Sequence, residues 1–138
     1  MRCLTQTDLA PGNCVQTVVA CLLDVDPSEV LDQTAFVVTV PRADGRGMRR
    51  GTPGYWEALN EWLGATRGVR IVDMVPARGD RATRGLHMMT GRTVRTPRNG
   101  GLFHAVVGKD LAPIWDPHPS RDSIILDRHT RCHFLMPL

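Results

Sequence analysis

Gly12-Asn13-Cys14-Val15-Gln16-Thr17-Val18-Val19-Ala20-Cys21-Leu22-Leu23 is the stretch on which the reading of this chain turns. A turn dipeptide, Pro11-Gly12, delivers Asn13 and then a cysteine to the start of an apolar, helix-compatible run. Asn is a favoured N-cap because its side-chain oxygen accepts from a free amide of the first turn. A helix is therefore predicted from about Asn13 to Leu23. Cys14 then stands in the first turn, where free N–H groups and the helix dipole favour negative charge. Thiolate is the reactive form of cysteine, and helix N-termini favour it. Two readings stay open from this segment. Cys14, Val18, Cys21 and Leu22 share one helical face, which suits a core cysteine. The same placement suits a nucleophile, provided that the rest of the chain supplies a base.

Upstream, residues 1 to 12 read as an irregular lead-in whose polar Thr5-Gln6-Thr7-Asp8 can fold over the helix start. Downstream, Asp26-Pro27-Ser28-Glu29 has the pattern of a capping box with Pro at the first helical position, predicting a short helix that ends near Leu31. Phe36-Val37-Val38-Thr39-Val40 is a short strand or extended loop stopped by Pro41, and residues 41–51, rich in Gly and Arg, read as a mobile loop. Thr52-Pro53 opens a further helix with an apolar stripe of Tyr55, Trp56, Leu59, Trp62 and Leu63, and Gly64 is expected to stop it.

From residue 69 the period changes to that of strands. Val69–Val75, Leu86–Thr90, Leu102–Gly108, Ala112–Asp116 and Cys132–Met136 are the candidates, with turns at Pro97-Arg98-Asn99-Gly100-Gly101 and at Lys109-Asp110. Helices first and strands afterwards predict an α+β fold with an antiparallel sheet, the nucleophile helix packed upon it. A chain of 138 residues is expected to form one domain, helical over about 1–65 and sheet-forming over about 66–138.

Composition narrows the function classes. No apolar run reaches the length of a membrane span. Pro11, Gly12 and Asn13 interrupt what would otherwise resemble a leader, so a reducing cytoplasm is expected. Cys3, Cys14, Cys21 and Cys132 lack CxxC partners and finger-like histidine spacing, so they read as thiols; neither a metal nor a cofactor is expected. Charge is uneven: between Arg42 and Arg98 twelve arginines face five acids, whereas the flanks are net acidic. Such a stretch suits an acidic partner, but it holds few aromatics for base stacking, which argues against nucleic acid.

The chemistry gathers on three residues. His104 begins a hydrophobic strand, and Asp116 ends the strand predicted to pair with it, so a hairpin brings the carboxylate to the imidazole. If the sheet packs on the first helix, His104 reaches Cys14. The three then make a Cys–His–Asp triad able to form a thioester acyl-enzyme. The Cys14 N–H and the Gln6 side chain are the candidate oxyanion donors.

The order Gln6…Gly12-Asn13-Cys14…His104-Ala105-Val106-Val107-Gly108…Trp115-Asp116-Pro117-His118-Pro119 resembles the papain-like cysteine peptidase superfamily, in particular small bacterial and phage members. The resemblance implies a papain-like fold with Cys14 as nucleophile, His104 as base, Asp116 as orienting acid and Gln6 as oxyanion donor. It implies a peptidase, isopeptidase or amidase acting on a peptide or protein substrate. An acyltransferase with the same triad is one alternative. The other is a non-catalytic module that binds an acidic partner through the Arg-rich middle. His118 reads as a turn residue.

Overall fold

The computed structural model describes residues 1–7, 9, 12–42, 44–74, 84–95 and 103–138. The architecture is mixed α+β; among the described residues it comprises two α-helices, a separate two-stranded hairpin and a five-stranded antiparallel sheet. Helix α1 spans Cys14–Leu23 and α2 spans Tyr55–Arg67. Strands β1 (Val38–Pro41) and β2 (Met48–Gly51) form the hairpin. The main sheet comprises β3 (Val69–Met74), β4 (Leu86–Gly91), β5 (His104–Lys109), β6 (Ala112–Trp115) and β7 (Arg131–Pro137), in the order β3-β7-β4-β5-β6.

Burial explains the layering. One core joins Val15, Val18 and Val19 of α1 and Tyr55, Leu59 and Leu63 of α2 to Met88, Ala105 and Val107 of the sheet. Met89, Val106, Cys132 and Phe134 pack with Ile124 in a second cluster. Strand β5 is therefore buried along nearly its whole length, which is why its sequence is almost continuously apolar instead of alternating. Each fully buried Val or Leu contributes on the order of 1.5–3 kcal/mol. Among the described residues no helix is long and apolar enough to cross a membrane.

Several local expectations change. Asp26-Pro27-Ser28-Glu29 does form its capping box, with Ser28 N–H donating to Asp26 Oδ1 at 2.9 Å and Asp26 N–H to Glu29 Oε1 at 3.0 Å. The box opens only a three-residue 3-10 turn, because Val30 is already extended. A second 3-10 turn, Gln33–Phe36, occupies the start of the expected strand. Residues 48–51 of the expected loop are strand β2. Gly64 does not stop α2: the helix runs on to Arg67, and the left-handed cap is supplied by Gly68 at φ 64°. Gly64 instead lies against Leu138, whose Cδ1 would sit 3.3 Å from an added Cβ. The β5–β6 turn is Asp110-Leu111, both at positive φ, with a bulge at Val107/Gly108. The hairpin and the longer α2 also blur the division near residue 65. The expected turn at 97–101, and residues 75 and 102 of the expected strands, lie outside the described residues.

Candidate active site

Three elements converge on the site: the first turn of α1, the first residue of β5, and the turn that follows β6. Cys14 is the first residue of α1 and is half-buried. His104 opens β5 with 9% of its surface exposed, and Asp116 lies directly after β6 with 5% exposed. The His104 Nε2–H donates to Asp116 Oδ1 at 2.6 Å, the short distance of a charge-assisted bond. The Cys14 side chain lies near enough to the same imidazole to raise its proton affinity. With Nε2 committed to the carboxylate, Nδ1 is the nitrogen left to face the thiol. The three residues named from the sequence are thus brought together.

Asp116 is held by more than His104. Its Oδ1 also accepts the His118 N–H at 2.7 Å, and its Oδ2 accepts the Ser123 N–H at 2.8 Å. Arg95 Nη2 stands 3.7 Å from Oδ2 and Arg95 Nε 3.3 Å from Asp122. Burial raises the Asp116 carboxyl, but the bond from His104, the His118 amide, the imidazolium charge and the Ser123 amide outweigh it and lower it to about 2. Burial likewise lowers the His104 imidazole. The bond to Asp116, the neighbouring Cys14 side chain and the charges of both outweigh that effect and push it up to about 9. An imidazole so placed has a raised affinity for a proton.

A strap at the N-terminus closes one side. The Gln6 N–H donates to Pro117 O at 2.9 Å, Trp115 Nε1 to Leu4 O at 2.8 Å, and Arg121 Nη2 to Thr5 Oγ1 at 2.7 Å. Arg121 also stacks over the Trp115 ring at 4.1 Å and donates to the Asp116 and His118 carbonyls. Gln6 is buried in this strap, its backbone tied to the turn after Asp116. His118 does serve its turn, accepting the Ser120 N–H on Nδ1 at 3.1 Å, but its ring also meets that of His104 edge-on at 6.0 Å.

The helix start departs from expectation. Asn13 occupies the N-cap position, yet its side chain makes no cap bond and reaches toward Thr7 Oγ1 at 3.5 Å. Its backbone, at φ −120° and ψ 36°, lacks the extended geometry that turns a side chain back over the first turn. Gln33 Oε1 does the capping from another segment, accepting the N–H groups of Val15 at 3.1 Å and Gln16 at 3.3 Å. Thr17 N–H bonds to Asn13 O. Among the described residues, the Cys14 N–H is the first-turn amide with no acceptor.

Gln33, Arg95, Arg121 and Ser123 were not legible as site residues. Asp32-Gln33-Thr34 signals only a local turn, and nothing in the spacing distinguishes Arg95 from its neighbouring arginines. An open groove of about 650 Å³ lies beside the start of α1, lined by Asn13, the residue before Cys14, and by Thr5, Thr7, Asp26 and Asp32; Cys14, His104 and Asp116 do not line it. Among the described residues no group of three or more His, Cys, Asp or Glu is placed to hold a metal ion. Comparison with protein-family models, with curated proteins and with solved structures finds no match for this chain.

Proposed function

We propose that the chain is a papain-like cysteine hydrolase acting on an amide or isopeptide bond of a peptide or protein. The observation that carries this reading is one buried imidazole bonded to Asp116 at 2.6 Å with Cys14, at the start of a helix, close enough to raise its proton affinity. His104 takes the thiol proton, and Cys14 Sγ attacks the carbonyl carbon while the carbonyl π pair moves to oxygen. The Cys14 N–H, with Gln6 as second donor, stabilises that oxyanion. The imidazolium returns its proton to the departing amine as the C–N bond breaks, leaving a thioester. Water then attacks with His104 again accepting the proton, and the acid and free thiol are released.

The groove at Asn13 suits the substrate segment, and its two aspartates favour a neutral or basic side chain there over an acidic one. The test is acylation by p-nitrophenyl acetate, read as nitrophenolate release and as an acetyl adduct on Cys14 in peptide mass spectra. An adduct absent from Cys14→Ala and strongly reduced in His104→Ala is expected. No adduct on Cys14 would refute the reading. An acyltransferase with the same steps would differ only in passing the acyl group to an added amine. The exposed Arg46 and Arg49 of the β1–β2 hairpin favour the remaining reading, a module for an acidic partner. Binding of such a partner would weaken with salt and be indifferent to Cys14→Ser.

A further inference from the structure

Helix α1 is capped from a distance. The Gln33 side-chain oxygen takes two amides of the first turn, and the Gln33 N–H returns a bond to Gln16 Oε1 at 3.2 Å. Gln16 Nε2 completes the clamp by donating to Pro27 O at 2.8 Å and Val30 O at 3.4 Å. Both glutamines are buried. The segment that carries Gln33 is itself anchored: the Tyr55 hydroxyl donates to Leu31 O at 2.9 Å, and the Phe36 and Tyr55 rings meet edge-on at 5.4 Å. Nothing here is a surface cap free to fray.

The consequence falls on the nucleophile. A first turn offers its unpaired amides to any nearby anion, so an uncapped α1 would present three competing donors and a mobile start. Gln33 removes the Val15 and Gln16 amides from that competition and leaves the Cys14 N–H, which is the amide an oxyanion on a Cys14 adduct can reach. We infer that Gln33 is a positioning residue: its cap fixes the first turn so that the Cys14 amide, and not its neighbours, faces the developing oxyanion. This inference rests on the acyl-enzyme reading above.

The test compares two reactions of the same thiol in full-length protein. Iodoacetamide alkylates Cys14 by displacement with no oxyanion, whereas p-nitrophenyl acetate acylates it through one. The ratio of the two rates cancels the thiolate population and the folded fraction. Gln33→Met, which keeps length but has no comparable acceptor, is expected to lower the acylation-to-alkylation ratio on the order of tenfold, the scale of a small misplacement at a reacting centre. Gln33→Glu, whose carboxylate still accepts both amides, is expected to restore it. If the Met variant does not fold, Gln33→Asn, whose shorter amide stops short of the helix, is read by the same ratio. A ratio within about twofold of wild type in the Met or Asn variant, or one that Glu does not restore, would overturn the inference. A wild type with no Cys14-dependent acylation would overturn the hydrolase reading itself, and this inference with it.

Discussion

Replacing Asp116 by Asn isolates what the carboxylate does for His104. The imidazole stands at about 9 instead of its ordinary 6.5, a preference for the cation of about 3 kcal/mol at 1.36 kcal/mol per unit. Burial opposes that preference, so Asp116 and Cys14 must supply all of it. An amide has no charge to contribute. With its oxygen toward His104, its NH₂ would confront the Ser123 N–H and Arg95; turned over, it would confront the His118 N–H and force the tautomer that cannot take a proton from Cys14. The His104 midpoint should fall from about 9 to 6.5 or below, followed by NMR of the imidazole with its resonance assigned by loss in His104→Gln. Acylation by p-nitrophenyl acetate at pH 7.5 should fall on the order of 10²-fold. Stability carries a second signature. A raised histidine stabilises the fold fully below 6.5 and loses that contribution as pH rises through about 9. The wild-type minus variant difference in urea stability should therefore shrink between pH 6 and 9.5. An unmoved midpoint with a rate within a few-fold of wild type would refute the reasoning.

Cys3 is exposed and Cys14 half-buried, while Cys21 and Cys132 are fully buried; peptide mass spectrometry after iodoacetamide should find the first two labelled in native protein and the last two only in urea. Gly108→Ala places a Cβ 2.6 Å from the Met89 side chain and 2.7 Å from His87 Nε2, and should cost about 1–3 kcal/mol in urea titrations. His87 and His133 are lowered by burial, so the unfolded chain binds their protons first and stability should decline as pH falls below 6.5, steepening below pH 4 as Asp116 protonates. With His104 acting above 6.5, the denaturation midpoint should peak near pH 6.5. Arg121→Ala removes the stack on Trp115 and the links to Asp116, His118 and Thr5; a loss of about 1–2 kcal/mol is expected in urea, with acylation reduced.

Local properties were legible in advance. The helix from Cys14 to Leu23, the capping box at Asp26, the strand at Val69 and the pairing of the His104 and Asp116 strands all follow from apolar period and turn chemistry, which act over a few residues. Cys14, His104 and Asp116 could be named because a helix start, a strand start and the end of its hairpin partner follow from local turn and strand patterns. The end of α2 was not legible: the helix passes through Gly64 and stops at Gly68, whose N–H returns to Leu63 O and whose carbonyl accepts the Leu138 N–H at 3.0 Å, 70 residues away in the chain. Nor could the sequence show that Asn13 yields its cap to Gln33, that Arg95 stands beside the Asp116 carboxylate, or that Arg121 ties the N-terminal strap to the site. Those assignments are made by side chains meeting across the fold. Only the path of the chain between α1 and the sheet brings their donors to the acceptors they satisfy.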